Sequence, residues 1–286
     1  MNLNVLLLLL VTLVWGTTFP LLKMASQHLS GMEVSVVRFI IASICMSPFA
    51  LKLTQKAWRD GAFLGVVGLI AYVTQAYGLQ LISSNRSAFL TSLNVLFVPF
   101  LAWVLGSKLS AQVVLAAILA CCGIGLMSWE GGGNMTGDMV TVLSALFYAI
   151  YVLLLARMVK KHTALALAAS QIIMMALIGI ALLAFEGTTR LSSLPQRLEP
   201  VLPVVLFLGV IATAAMLFIQ AIGQRHVSPT KAALIFSLEP AFAAMFAWLW
   251  LGEQLTVRSA TGGALVVVAV VMSEWQFSKK PKQSSR

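Results

Sequence analysis

Charge is what this sequence has least of. Asp, Glu, Lys and Arg together make up 10% of its 286 residues, against about 25% in soluble globular domains, so a water-facing surface of ordinary extent has nothing to cover it. That scarcity excludes a soluble enzyme and a disordered chain. Cysteine is nearly missing too. Cys45, Cys121 and Cys122 all lie in apolar runs with no spacing of a disulfide or metal site, which excludes a secreted disulfide scaffold and leaves them reading as small hydrophobes inside helices. His28, His162 and His226 fall near loops and apart from one another, so no metal site is expected. There is no G-x-x-x-x-G-K-[ST] loop, no H-E-x-x-H and no G-x-S-x-G, and Gly131-Gly132-Gly133 lacks the strand-to-helix setting of a phosphate cradle. No cofactor is expected. No extramembrane stretch exceeds roughly 20 residues, too short for a soluble domain. Work done by such a chain must draw on a gradient of solute or ion.

What is present is apolar. Hydrophobic residues make up 60% of the chain and the mean hydropathy is +0.95. Polar residues gather in short stretches between apolar runs, the pattern of an all-α polytopic membrane protein. Ten segments reach the ~20 residues a membrane crossing needs: residues 3–23, 33–53, 62–82, 86–105, 111–129, 138–158, 164–185, 201–222, 231–251 and 257–276. The first resembles a signal-peptide core, but no Lys or Arg precedes it and the apolar run continues past Trp15, so it reads as a retained span. Turn residues mark the breaks, as in Arg59-Asp60-Gly61, Glu186-Gly187 and Ser228-Pro229. With the N-terminus cytoplasmic, the inner loops and the basic tail 277–286 hold 13 Lys and Arg and the outer loops 5, with Arg38 inside a span. This bias supports an even number of crossings and two cytoplasmic termini. The excess of basic residues, 19 against 9 acidic, is therefore read as loop anchoring against lipid, not as a nucleic-acid surface.

The chain also repeats itself. Residues 83–103 (SSNRSAFLTSLNVLFVPFLAW) align without gaps to 228–248 (SPTKAALIFSLEPAFAAMFAW), with 7 of 21 positions identical. The matches include Ser92-Leu93 with Ser237-Leu238 and Ala102-Trp103 with Ala247-Trp248. The offset is about half the chain. Five spans plus five implies that the second half enters the membrane with the opposite orientation, an inverted repeat of the kind that lets two halves of a secondary transporter rock about a midplane site.

These residues resemble the drug/metabolite transporter superfamily, in particular its ten-span EamA-type transporters. Trp15-Gly16-Thr17-Thr18-Phe19-Pro20 is similar to that family's Trp-Gly opening, and Arg38-Phe39 to its recurrent Arg. Tyr77 to Ala88 resembles its short hinge. Ser228-Pro229, Leu238-Glu239-Pro240 and Leu251-Gly252-Glu253 resemble its second-repeat signature. The chain departs from the pattern where the first repeat has Asn94 in place of an acid and Ser107-Lys108 in place of a Gly-Glu ending, so an acidic role carries over only to the second half. The resemblance spans two repeats, 3–129 and 138–273, with ten membrane helices in two inverted five-helix repeats around a central cavity. It implies a secondary transporter of a small polar metabolite, an exporter of amino acids or related compounds across the bacterial inner (plasma) membrane, and no enzyme. Multidrug efflux is the alternative within transport, and a polytopic membrane enzyme or receptor the alternative outside it. Protons are the candidate coupling ion.

Glu239 stands out from the residues themselves. It lies mid-span in the ninth segment, where an ionised carboxylate costs at least ~2.5 kcal/mol, and Pro240 next to it frees backbone carbonyls. It reads either as a substrate-amine or proton site, or as a carboxylate pinning helices together. Arg38, one to two turns inside the second span, reads as structural or gating. Trp15, Tyr72, Gln75, Asn94, Tyr148 and Ser237 form the expected cavity set: a mainly apolar wall with a few hydrogen-bonding groups is how small-molecule sites are built. The same residue types also serve plain interhelical hydrogen bonding. Gly61-x-x-x-Gly65 fits close helix packing.

Overall fold

The computed structural model describes residues 2–51, 53–82, 84–128, 134–184, 192–251 and 257–277, and all regular elements among them are helical. The Gly131–Gly133 loop, the Glu186-Gly187 turn, the Gly252-Glu253 pair and tail residues 278–286 lie outside the described residues. The elements are α1 (Leu3–Ala25), α2 (Gly31–Ala50), α3 (Gln55–Leu81), α4 (Ser84–Ser92), α5 (Asn94–Val104), α6 (Ala111–Ser128), α7 (Met135–Met158), α8 (Ala164–Leu183), α9 (Leu194–Leu198), α10 (Leu202–Gly209), α11 (Met216–Gln224), α12 (Pro229–Phe236), α13 (Glu239–Leu251) and α14 (Val257–Phe277). A short 3₁₀ turn, Glu199–Val201, joins α9 to α10, and a π-helical segment, Val210–Ala215, joins α10 to α11. Phe277, placed in the tail by sequence, is the last residue of α14.

Local chemistry sets the helix starts. Ser30 and Glu33 form a reciprocal capping box at α2: the Ser30 hydroxyl accepts from the Glu33 N–H, and the Glu33 carboxylate accepts from the Ser30 N–H. Thr54, Asn134, Thr163 and Ser228 cap α3, α7, α8 and α12 through side-chain oxygens. Pro229 occupies the first turn of α12, where its missing N–H is not needed.

Among the described residues, eight helical stretches are long and apolar enough to cross a membrane: Leu3–Ala25, Gly31–Ala50, Gln55–Leu81, Arg86–Val104, Met135–Met158, Ala164–Leu183, Leu194–Gln224 and Pro229–Trp250. Two shorter apolar stretches, Ala111–Leu126 and Ala260–Met272, correspond to the fifth and tenth expected segments. Two of the expected continuous spans are in fact broken. The run 86–105 divides at Leu93 into α4 and α5, and the run 231–251 divides at Ser237-Leu238 into α12 and α13. In the 83–103/228–248 alignment these breaks fall at the same place. The backbone confirms it: Leu93 N–H donates to the Leu90 carbonyl and Leu238 N–H to the Ile235 carbonyl, three-residue turns that replace α-helical bonding.

Close approaches between the halves hold the bundle. α3 runs antiparallel to α7: Asp60 near the start of α3 contacts His162 just beyond α7, while Gly78 near its end lies against Gly137 and Thr141 at the start of α7. α3 also packs on α8, where a Cβ on Gly65 would come within 2.7 Å of the Gln171 carbonyl oxygen, so the Gly61/Gly65 pair serves the close packing its spacing suggests. Gly209 plays the same part between α10 and α2, its missing Cβ leaving room for Ile41 and the Arg38 carbonyl. A continuous apolar core runs through both halves, from Leu8, Phe39 and Leu64 to Leu155, Leu167, Ile172 and Leu217.

Candidate functional site

A polar pocket lies at the seam of the halves. Trp15, Thr18, Arg38, Tyr72, Gln75, Thr91 and Asn94 line it from the N-terminal half, and Tyr148, Tyr151, Val152, Gln220, Phe236 and Glu239 from the C-terminal half. Its free space is about 30 Å³, room for about two waters. Five members of the set expected from sequence, Trp15, Tyr72, Gln75, Asn94 and Tyr148, are brought together here, along with Arg38 and Glu239. Ser237 is not. It is fully buried, its hydroxyl donates to the Leu234 carbonyl at 2.6 Å, and it closes the turn between α12 and α13 without reaching the pocket.

The broken helices supply two positions each. Thr91 and Asn94 flank the first break, and their aligned partners Phe236 and Glu239 flank the second; all four face the pocket. Asn94 and Glu239 begin α5 and α13, so two helix N-termini, with their partial positive charge, lie at the pocket wall. Glu239 sits where that field favours an acid. Its carboxylate makes no hydrogen bond among the described residues, and no ion pair joins it to Arg38. The reading of Glu239 as a pin between helices therefore finds no partner here.

A side-chain network spans the seam. Tyr148 donates to Gln75 Oε1 at 3.0 Å, and the Gln75 amide reaches Thr91 Oγ1 at 3.4 Å. Tyr151 donates to Gln171 Oε1 at 2.8 Å. Tyr72 stacks edge-on against both Phe39 and Tyr148, with ring centres 5.3 and 5.4 Å apart. Buried atoms left without a partner include Arg38 Nη2, Asn94 Oδ1 and Gln220 Oε1, all on residues of the pocket wall. Unpartnered buried polar atoms are costly, and these three face one pocket; Ser87 Oγ, Gln112 Oε1, Gln171 Nε2 and Gln224 Oε1, also unpartnered, lie on residues outside its wall.

Two backbone carbonyls tie the halves together in a matched way. The Trp15 indole N–H donates to the Ala212 carbonyl at 2.9 Å, and Ser144 Oγ donates to the Ala71 carbonyl at 2.8 Å. Ala71 and Ala212 end the same tetrapeptide pattern, Gly68-Leu69-Ile70-Ala71 and Gly209-Val210-Ile211-Ala212. This short repeat was the available signal for the third and eighth spans, but four residues in an apolar chain are easily overlooked. Thr18 was legible as one turn on from Trp15. Phe236 and Val152, being plain hydrophobes, carried no signal at all.

The EamA-like transporter family matches the sequence twice, over residues 2–129 and 135–275. The chain belongs to that family. Relatives of this EamA-type chain include an "uncharacterized transporter" of Archaeoglobus fulgidus, 28% identical over 268 residues and covering 93% of this chain and 83% of that protein. The transporter YdfC of Bacillus subtilis is 24% identical over 281 residues, covering 94% and 90%. A solved crystal structure superimposes with a TM-score of 0.77 over 96% of this chain and 98% of that one, at 14% identity, a likeness of fold. The chain is thus a multi-pass membrane transporter of the drug/metabolite superfamily, with a small-molecule substrate and a lipid bilayer around it.

Proposed function

We propose that this EamA-type chain is a secondary transporter that exports a small polar metabolite, an amino acid or related compound, across the bacterial inner membrane by alternating access. In this reading the eight longer stretches and the helices α6 and α14 make ten crossings in two inverted repeats, with both termini cytoplasmic. The observation that carries the reading is the pocket itself: among the described residues, a wall at the seam of five aromatic rings, one buried acid, one buried base and two unsatisfied amide oxygens, drawn almost equally from the two halves. A 30 Å³ void is far smaller than the ~300 Å³ and more of ordinary ligand pockets, so a solute enters only when the halves separate. The twinned helix breaks at Leu93 and Ser237-Leu238 support such motion, because discontinuous helices at a repeat interface are how transporters of this type build midplane sites. Glu239 serves as the amine or proton site.

Counterflow tests this. Proteoliposomes loaded with one unlabelled amino acid at a time should concentrate that labelled amino acid for at least one member of the set, and an imposed pH gradient should alter the rate if protons are coupled. Absence of exchange with every amino acid tried would reject the substrate class.

A further inference from the structure

Arg38 is a buried cation with no counter-ion among the described residues. It is 2% exposed, and among the described residues no carboxylate lies within ion-pair distance of it. Its guanidinium is held on three sides. Nε donates to Thr213 Oγ1 at 2.9 Å, and the plane lies over the Tyr72 ring at 4.9 Å and the Phe39 ring at 5.9 Å. The remaining edge is different: Nη2 is buried with no hydrogen-bond acceptor, on a side chain that lines the pocket. A guanidinium stays protonated in proteins, so losing its proton does not remove the mismatch. A buried charge is stable only when paired and hydrogen-bonded, and the pocket is the side from which a carboxylate can reach Nη2.

Resting on the transport reading above, we infer that Arg38 is the docking point for a carboxylate on the transported solute, and that Thr213 is the positioning residue that aims it. A guanidinium edge matches the two oxygens of a carboxylate. A phosphate dianion suits the pocket poorly, because among the described residues Arg38 is the single cation on a wall that also carries Glu239. Thr213 lies in the π-helical segment between α10 and α11. Its hydroxyl accepts from Arg38 and donates on to the Leu208 carbonyl five residues back, at 2.7 Å. The wide turn therefore holds the hydroxyl where a regular helix would return it to the carbonyl four residues back, and the solute's carboxylate bears through Arg38 on a π-helical element of the opposite half, a feature frequent at functional sites.

The test uses matched solutes and the full chain in proteoliposomes: leucine, leucinamide and 3-methylbutylamine, with phenylalanine, phenylalaninamide and phenethylamine as a second series. For whichever series moves, the acid should outpace its amide and amine by at least about tenfold, the scale of one lost hydrogen bond to a charged group. Thr213→Val should shrink that acid-to-amide ratio by raising KM for the acid, and Thr213→Ser should restore it. A purely structural role for Thr213 would lower all rates together and leave the ratio unchanged. Amides and amines moving as fast as the acids would overturn the assignment of Arg38 while leaving transport intact. No movement of any of the six would overturn the assignment together with the amino-acid reading. Arg38→Gln serves as a second variant: if it inserts and still keeps the acid preference, the proposal fails.

Discussion

Arg86 and Asp138 meet through two parallel contacts, Nε to Oδ1 at 2.6 Å and Nη2 to Oδ2 at 2.7 Å. Arg86 belongs to α4 and Asp138 to α7, so this pair fastens the N-terminal half to the C-terminal half. Arg197 does the same with Glu33, Nη1 to Oε2 at 2.7 Å and Nη2 to Oε1 at 2.5 Å, and also reaches the His28 carbonyl. Both pairs lie at the end of the bundle where α3 finishes and α7 begins. Lys23 closes that end further by donating to the Leu79 and Ile82 carbonyls. The opposite end has the Asp60–His162 contact, 2.9 Å. Breaking the first two pairs together should bias the protein toward opening at their end. Asn94→Cys on a background of Arg86→Ala and Arg197→Ala should react with a membrane-impermeant thiol reagent faster than Asn94→Cys alone; equal rates would show that the pairs do not gate that end.

The two pairs should differ in strength. Arg86 and Asp138 are each 24% exposed, so a double-mutant cycle should return up to about 1 kcal/mol, and the charge swap Arg86→Asp with Asp138→Arg should recover much of it. Glu33 is 2% exposed in its side chain. Arg197→Ala removes the cation paired with that buried carboxylate, leaving it the Ser30 N–H of the capping box, and should cost about 3 kcal/mol, read as a drop in detergent-solubilised melting temperature several times that of Arg86→Ala.

Glu239→Gln keeps the size of the side chain and removes its charge. The variant should insert and fold, since the carboxylate anchors no neighbour among the described residues, yet transport should stop or lose its response to a pH gradient. Full transport with unchanged pH dependence, measured in the same proteoliposomes, would remove Glu239 from the mechanism.

Gly65→Ala places a methyl 2.7 Å from the Gln171 carbonyl oxygen, which belongs to backbone and cannot swing aside. Overpacking of this kind costs about 1–3 kcal/mol. Gly125→Ala is the control, because its nearest neighbour, the Phe89 ring, is 3.8 Å away. Thermal melts should separate the two variants clearly; equal melting temperatures would mean that α3 and α8 are free to move apart.

The Trp15 indole contributes a bond as well as a surface. Trp15→Phe retains the ring against Phe236, whose centre is 5.5 Å away, but removes the donor to the Ala212 carbonyl. A loss of about 1 kcal/mol is expected, seen in the melting temperature. No change would mean that the π-helical segment finds another donor for that carbonyl.

Much of this was written in the sequence. Hydropathy located the helices because a bilayer crossing needs a long apolar run, and caps such as Ser30 and Thr163 are local chemistry. The polar face of Tyr72 and Gln75 was legible because polar groups avoid lipid. The breaks at Leu93 and Ser237-Leu238 were not, because the apolar runs continue through them and hydropathy is blind to backbone hydrogen bonding. The same blindness misplaced Ser237, whose hydroxyl satisfies the backbone its own turn leaves open. The π-helical segment Val210–Ala215 is likewise ordinary as a string of small apolar residues. The partners of Arg86 and Glu33 lie 52 and 164 residues away, and tertiary structure alone could name them.

The paired breaks have one further consequence. At equivalent corners of the pocket one copy offers an uncharged amide, Asn94, and the other an acid, Glu239. On the alternating-access reading proposed above, unlike corners give the two conformations different free energies whenever a charged passenger or a proton is aboard, which sets how long each lasts, while the gradient alone sets the direction of net flux.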